Sequence, residues 1–309
     1  MKGIENMEKE QELLKPKIDV VFHSLFRKGN ERITKALITS IINEKIEKVE
    51  LDKDRYVVGE YPEEKLGIVD MKAELDNGTI CDIEIQLSDN KDTAERFLYY
   101  WSRIYSGQLV KGKKYRNLNK VIGIIIIIDY NFEKTKEIER MSTKWKIKEV
   151  TTGKEIELTD MLELYIIEIS KVKRALEKNP EDKLAQWIQF LDNPNEKGVL
   201  KKVMEKNKEI KEAMEDLERL SKIKKLRRIA ELKEKAIRDE ENGLRHAKEE
   251  GINIGLEKGK KLGLEEGRAI GEKSKQLEIA RNLLQEGMSI EKVSTIVGLT
   301  KEEIEKIEK

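Results

Sequence analysis

The amino-acid sequence predicts an α/β fold, in which a mixed β-sheet is flanked by helices and is followed by a charged helical C-terminal region. Three observations predict this fold class. The segment Leu66–Leu87 has the pattern of a two-stranded hairpin, Val121–Ile128 is a continuous apolar run, and the composition becomes strongly charged after residue 195. The apolar run is typical of a strand that is covered on both faces, as in mixed or parallel sheets.

The composition narrows the possible classes of function. The chain has 309 residues, 62 basic and 61 acidic, so its net charge is only +1 and any binding of nucleic acid must depend on a local patch. The single cysteine, Cys81, excludes an intrachain disulfide, and two distant histidines do not favour a histidine-based site. Aspartate and glutamate carboxylates are therefore the groups that remain for a catalytic or metal site. The N-terminus does not have the pattern of a signal peptide and no apolar run is long enough to cross a bilayer, so we expect a cytoplasmic protein.

The hairpin carries the candidate site. Asp76-Asn77-Gly78 is a turn signal, because Asn and Gly tolerate positive φ. Alternate residues of the strand that follows point to opposite faces, one face holding Ile80, Asp82, Glu84 and Gln86 and the other Cys81, Ile83, Ile85 and Leu87. Asp70 on the preceding strand can lie beside the polar residues, and neighbouring carboxylates repel unless a cation or a proton lies between them. Two interpretations stay open, a solvent-facing polar strip and a metal site.

Two helices are predicted before the hairpin. Asp19 is a reasonable N-cap for the first, DVVFHSLF, and the second begins at Asn30 or Glu31. Its apolar stripe consists of Ile33, Leu37, Ile38, Ile41 and Ile42. The segment VELDKDRY, which ends at Tyr56, is expected to begin the sheet.

A third helix is predicted over Asp92–Lys114, where aromatic and aliphatic residues recur every three or four positions. Aromatic and basic side chains on such a helix can grip a phosphate backbone, or the aromatic rings can simply cover a core against the sheet, and the pattern leaves both interpretations open. The candidate DNA-binding residues are Arg96, Tyr100, Arg103, Gln108 and Lys113.

Further elements complete the predicted globular part. Lys144–Leu158 alternates around a Thr152-Gly153 turn as a hairpin does, and Tyr165–Ile169 is a short apolar strand. A helix containing QWIQFL follows, and Asn193-Pro194-Asn195 is a plausible boundary.

The tail has two distinct parts. In Lys201–Glu250, 29 of 50 residues are charged, which favours a solvated or oligomerising helix over a core element. A repeat then places one glycine every four residues, at Gly251, Gly255, Gly259, Gly263, Gly267 and Gly271. Each glycine costs a helix about 1 kcal/mol relative to alanine, so the repeat indicates either close approach of a partner helix or a partly disordered tether.

The last segment, Gln276–Lys309, predicts compact helices stopped by Gly287 and Gly298. Two short helices around a glycine turn resemble a helix-turn-helix. The exposed faces include several acidic residues, which favours a small helical interaction module over a DNA reader.

Asp70 followed by Glu84-Ile85-Gln86, together with the aromatic helix and the buried strand, resembles the recombination-promoting nuclease and transposase family of the PD-(D/E)xK nuclease superfamily. Pro16–Phe26 resembles the opening segment of that family. The resemblance covers residues 14–195 and implies a nuclease-like domain there. The residue pattern predicts that a charged and glycine-repeat helical region over 196–275 and a small helical module over 276–309 follow it.

The resemblance also implies a restriction-endonuclease-like sheet with Mg²⁺, or Mn²⁺ as a substitute, at one edge. The implied ligands are Asp70, Glu84 and the backbone carbonyl of Ile85, and such oxygen ligands suit Mg²⁺. The metal would polarise the scissile phosphate and lower the pKa of a bound water. Gln86 is the third implied catalytic residue and stands where the superfamily often has lysine. Asp82 and Asp19 are possible additional ligands.

Two functions are consistent with the sequence. The favoured one is a metal-dependent DNA endonuclease, recombination-promoting or transposon-derived, that hydrolyses phosphodiester bonds. The alternative is a catalytically weak or inactive nuclease-fold scaffold. In both cases we expect a homo-oligomer formed through the C-terminal helices, with DNA as the partner of the nuclease.

Overall fold

The computed structural model of this chain describes residues 12–51, 56–57, 67–68, 71–86, 92–110, 112, 114–128, 130 and 132–307. Packing divides the chain into two units, Met1–Ile237 and Arg238–Lys309. Among the described residues, no helix is long and apolar enough to span a membrane.

The first unit is organised around a mixed sheet, as the sequence predicts. The strands are β1 (Val49–Leu51), β2 (Tyr56–Val57), β3 (Gly67–Ile68), β4 (Met71–Leu75), β5 (Ile80–Gln86), β6 (Val121–Ile127), β7 (Ser142–Trp145) and β8 (Leu162–Glu168). Six of them form one sheet in the order β1-β4-β5-β6-β8-β7, and β2 and β3 form a separate antiparallel pair. Strands β5, β6 and β8 run parallel to one another, and the remaining neighbours are antiparallel.

Helices precede, separate and follow these strands. They are α1 (Asp19–Leu25), α2 (Glu31–Ile42), α3 (Thr93–Gly107), α4 (Val172–Lys178), α5 (Lys183–Asp192), α6 (Lys197–Lys206), α7 (Lys208–Ser221), α8 (Lys224–Gln285), α9 (Ile290–Val297) and α10 (Lys301–Glu305). Short 3₁₀ turns occur at Tyr115–Asn117, Glu133–Thr135 and Ile169–Lys171. Ile18, and not Asp19, is the N-cap of α1, because helical geometry already begins at Asp19.

The predicted hairpin is confirmed from Met71 to Gln86. Strands β4 and β5 pair antiparallel, with Lys72 opposite Asp82, and Gly78 in the turn has φ +79° as its position requires. Within the first predicted strand, Met71–Leu75 pairs with β5, whereas Gly67–Ile68 pairs with β2. Leu66 and Leu87 lie outside the described residues.

One face of the sheet carries the main core. Cys81, Ile83 and Ile85 of β5 point into it, beside the alternate isoleucines of β6. Helices α1, α2, α5 and α7 supply the opposing apolar side chains, including Phe22, Leu37, Trp187 and Leu217. The alternation of β5 therefore removes its apolar residues from water, which is the main driving force for this packing.

The charged segment after residue 195 differs from the sequence-based expectation. The apolar stripe of α7 is buried in the main core, and Asn30 Nδ2 donates to Asp216 Oδ2 of that helix at 2.6 Å. The division between the two units accordingly falls at Ile237 and not at the predicted boundary of 195. The spacing of aliphatic residues in this segment reveals an apolar face, but it does not identify the surface that covers it.

The second unit has its own small core. Apolar side chains of the end of α8, of α9 and of α10 form it, and Gly298 turns the chain between α9 and α10 with φ +72°. Thr300 and Glu303 form a capping box at the start of α10. Helix α8 is continuous through the whole glycine repeat, where the side chains are exposed and an added Cβ would meet nothing within 4 Å.

Candidate active site

The polar face of β5 is buried. Asp82, Glu84 and Gln86 are 0%, 8% and 6% exposed, because α3 lies across this face of the sheet. The interpretation of these residues as a solvent-facing polar strip is therefore wrong. Burial of carboxylates requires compensating charge or hydrogen bonds, so the partners of this row decide its chemistry.

A glycine allows α3 to lie close to the row. Gly123 of β6 pairs with Asp82, and a Cβ at this position would lie 2.6 Å from Cζ of Phe97. The Phe97 ring packs with Ile125 and Ile127 beneath α3. The absence of a side chain at residue 123 thus sets the distance between the helix and the acidic strand.

Arg96 of α3 binds two of the three polar residues. Its Nη2 donates to Glu84 Oε1 at 2.9 Å and also to Gln86 Oε1. The arginine side chain is 34% exposed, so it is partly open to solvent. Its Nε is buried and makes no hydrogen bond within the described part of the chain. A charge-assisted bond of this kind is stronger than a neutral one and fixes the carboxylate orientation.

Two further side chains belong to this face. Lys72 is the cross-strand neighbour of Asp82, so both side chains leave the sheet on the same side. Tyr100 follows Arg96 by one helical turn, and burial, followed by the negative charge of Glu84, raises the pKa of its phenol. The Tyr100 hydroxyl therefore stays protonated near neutral pH and can donate a hydrogen bond.

The described residues do not contain a complete metal site. No group of three or more His, Cys, Asp or Glu side chains is arranged to hold a metal among them, and Asp70 lies outside them. The donors that are present, the carboxylates of Asp82 and Glu84, are hard oxygen ligands and fit Mg²⁺ or Mn²⁺ in kind. The side chain of Ile85, the third implied ligand, points into the main core on the opposite face.

Two predicted site residues have other partners in the structure. Asp19 Oδ2 accepts a hydrogen bond from Lys233 Nζ at 2.8 Å, and α1 packs in the core on the opposite face of the sheet from α3. The expectation that Asp19 joins the acidic row is therefore corrected. The Gln108 side-chain amide donates to the Asn119 carbonyl at 3.1 Å and accepts from the Asn119 backbone N–H at 2.7 Å. These two bonds join the end of α3 to the residues just before β6.

The remaining DNA-binding candidates lie on or after α3. The helix ends at Gly107, earlier than the predicted Lys114, and Arg103 is partly exposed on it. Lys113 lies outside the described residues. Arg96 lies in the acidic row and not on an open helix surface, because its guanidinium is held by Glu84 and Gln86.

Sequence reasoning missed another buried carboxylate, Glu163 of β8, on the opposite face of the sheet. Lys120, Lys144 and Lys146 lie 2.9, 2.9 and 3.1 Å from its oxygens. Burial acts to raise its pKa, but hydrogen bonds from the three lysines prevail and lower it to about 2. The only signal in the sequence is one glutamate within the apolar run LELYII.

A further buried carboxylate, Glu168, ends the same strand. Its oxygens accept from the Phe132 backbone N–H at 3.0 Å, from Thr135 Oγ1 at 2.8 Å and from Lys171. Gln86 and Glu168 lie in one row, because both pair with Ile127 of β6. The Glu168 contacts therefore fix the segment that follows β6 at the carboxyl end of the parallel strands.

Two family models match the chain. The model described as PD-(D/E)XK nuclease family transposase matches residues 16–247, and the model described as Rpn/YhgA-like nuclease family, C-terminal HTH domain, matches residues 273–309. Comparison with curated proteins and with solved structures gave no match. The mixed six-stranded sheet flanked by helices agrees with a restriction-endonuclease-like fold. The second match identifies residues 273–309 as a helix-turn-helix domain. The sequence pattern alone had favoured a general interaction module for this segment.

Proposed function

Since the chain belongs to the PD-(D/E)XK nuclease family transposases, we propose that it is a metal-dependent DNA endonuclease that hydrolyses phosphodiester bonds, recombination-promoting or transposon-derived. The observation that carries this proposal is the buried row of Asp82, Glu84 and Gln86 on β5, with an arginine bonded across it. A polar row of this kind in a sheet core costs free energy, so a functional reason for it is expected.

The proposed metal ligands are Asp70, Glu84 and the carbonyl of Ile85, with Asp82 as an additional candidate. Asp70 is next in the chain to Met71, whose strand partner Ile83 is next to Glu84. When bound, Mg²⁺ would polarise the phosphodiester and lower the pKa of an attacking water. In this proposal Gln86 orients the water or a phosphate oxygen through its amide, and the protonated Tyr100 hydroxyl is a further hydrogen-bond donor.

DNA is the proposed substrate because the second family model is a helix-turn-helix domain. Helix α10 carries the exposed residues Glu302 and Glu305 beside Lys301, and the exposed Lys306 follows it directly, so the charge of this surface is balanced. Close phosphate contacts therefore have to come from individual lysines and from the first unit, where Arg103 and Lys113 remain the candidates.

Self-association through the C-terminal helices is the proposed role of the glycine repeat. The repeat lies on an exposed stretch of α8, and six glycines weaken a helix unless close packing compensates. We expect the double substitution Gly255→Leu and Gly263→Leu to lower the light-scattering mass of the full chain, because large side chains prevent close helix approach. The matched control, Gly255→Ala with Gly263→Ala, is expected to keep the mass. Equal masses for all three proteins would contradict the proposal.

Plasmid nicking tests the nuclease proposal directly. We expect the wild type to nick DNA in Mg²⁺ or Mn²⁺ and not in EDTA, and Asp70→Ala and Glu84→Ala to be at least about 1,000-fold slower, as for the loss of a central catalytic group. Glu74→Gln, at an exposed position of β4, is the matched control and should nick as the wild type does. Metal-dependent nicking that survives Glu84→Ala would contradict the proposal. A folded wild type that neither nicks nor binds divalent ions would favour the scaffold.

A further inference from the structure

The acidic row has a neutral residue at a position where positive charge is useful. Gln86 can form hydrogen bonds, but it cannot stabilise the negative charge that develops on a phosphate during cleavage. A cationic side chain must then come from another element. Within the described part of the chain, Arg96 of α3 is a cation that donates hydrogen bonds to both Glu84 and Gln86.

We propose that Arg96 is the cationic catalytic residue of this site. Its guanidinium holds Glu84 when no divalent ion is bound, and it releases that carboxylate and contacts a non-bridging oxygen of the scissile phosphate when an ion and DNA are bound. This inference rests on the proposed nuclease function. Arg96 thereby has a role in the cleavage step, beyond general contact with a DNA backbone.

The geometry provides for both contacts. One nitrogen, Nη2, makes the bonds to Glu84 and Gln86, and a guanidinium has five N–H donors in a planar fork. The side chain is 34% exposed, so it is partly open to the solvent from which a phosphate would approach. The buried Nε makes no hydrogen bond within the described part of the chain, so the donors of Arg96 are not all in use.

Arg96 lies on a helix and not on β5, and this position affects how its guanidinium can move. The guanidinium is at the end of a long side chain from α3, so it can shift by a rotamer change while the strand that carries Glu84 stays fixed. Lys72 is the competing candidate, because it lies beside Asp82 on the neighbouring strand. It is included in the test for that reason.

The proposal predicts opposite effects on metal binding and on cleavage. Arg96 and a divalent ion both require the Glu84 carboxylate, and their like charges repel. Removing the arginine charge should therefore strengthen metal binding and slow cleavage. If Arg96 merely supported the metal ligands, its removal would weaken metal binding, because loss of a supporting contact lowers metal affinity by about 10- to 100-fold.

The experiment measures Mn²⁺ binding to the full chain without DNA, by calorimetry, and plasmid nicking by the same proteins. We expect Arg96→Gln to bind Mn²⁺ on the order of fivefold more tightly and to nick about 100-fold more slowly than the wild type. Arg96→Lys keeps a charge without the planar fork, so it should bind Mn²⁺ as the wild type does and nick about tenfold more slowly. Arg116→Gln, the same change at an exposed residue, should match the wild type in both measurements.

Several results would overturn the inference. Weaker Mn²⁺ binding by Arg96→Gln, or wild-type nicking by either Arg96 variant, would do so, and so would a loss confined to Lys72→Gln. If Arg96→Gln fails to fold by circular dichroism, the Arg96→Lys rates decide alone. A wild type that neither binds Mn²⁺ nor nicks overturns the nuclease proposal itself, whereas a binding and nicking wild type with unchanged Arg96 variants overturns only the role of Arg96.

Discussion

Glu84 and Glu163 are both buried glutamates of the same sheet, yet their surroundings differ. Glu163 accepts from three lysines and from the Tyr165 hydroxyl on one face. Glu84 lies on the other face with Asp82 and Gln86, and it is bound by Arg96, which is partly open to solvent. The first carboxylate is thus surrounded by more positive charge than it carries, whereas the second shares its face with another acid.

This difference separates a structural carboxylate from a candidate catalytic one. Burial alone does not distinguish them, since both are less than a tenth exposed. What distinguishes them is the balance of charge around each carboxylate. A carboxylate enclosed by ammonium groups has no capacity for another cation, whereas two acids on one face favour the binding of one.

The largest effect on stability is expected from Glu163→Ala. This change leaves Lys120, Lys144 and Lys146 together without their common anion, which costs about 3 to 5 kcal/mol of unfolding free energy when a buried pair is broken. Urea unfolding at pH 7 measures the loss. Glu84→Ala is the comparison, and its loss should be smaller, because it leaves one cation, Arg96, without its carboxylate and not three. Equal losses for the two variants would break the distinction.

The acid dependence of stability should also identify Glu163. Its pKa is lowered from 4.5 to about 2, so the unfolded chain binds this proton more readily than the folded protein does. The stabilisation is therefore complete above about pH 5 and is lost as the pH falls towards 2, by about 3 kcal/mol in total. Unfolding free energies measured over this range should fall more steeply for the wild type than for Glu163→Gln. Parallel curves would contradict the assignment.

A smaller effect is expected on the α3 side. Gly123→Ala places a Cβ 2.6 Å from the Phe97 ring and 3.1 Å from Leu164, so overpacking should cost about 1 to 3 kcal/mol. Because Phe97 and Arg96 share α3, nicking should fall as well, while the acid dependence due to Glu163 should remain. Gly198→Ala, where an added Cβ meets nothing within 4 Å, is the matched control. A Gly123→Ala protein with wild-type stability would show that α3 can move freely.

The sequence predicted the strands of the site because local patterns determine them. The alternation of residues 80 to 86 and the turn at Asn77-Gly78 are sufficient to place Asp82, Glu84 and Gln86 on one face. The run Val121–Ile127 is likewise a central strand, buried along its whole length. Both features depend on neighbours in the chain, which a single sequence contains.

These local patterns could not predict which elements cover each face of the sheet. The burial of the polar row depends on Gly123 and Phe97, which meet only when α3 folds over β6. The lysines around Glu163 come from two separate segments, one just before β6 and one at β7, and the burial of α7 depends on contacts with residues about 180 positions earlier. Such long-range pairings cannot be derived from spacing, because the same residues on an exposed strand or helix have the same pattern.

Divalent-ion binding by Glu84→Gln and Glu163→Gln tests the central claim most directly. Both changes remove one buried negative charge, and titration calorimetry with Mg²⁺ and Mn²⁺ compares them with the wild type in the absence of DNA. We expect Glu84→Gln to abolish binding and Glu163→Gln to leave it within about twofold of the wild type, since only the former removes a ligand. Wild-type binding by Glu84→Gln, or its loss in a folded Glu163→Gln protein, would contradict the assignment of the metal site to the acidic face of β5.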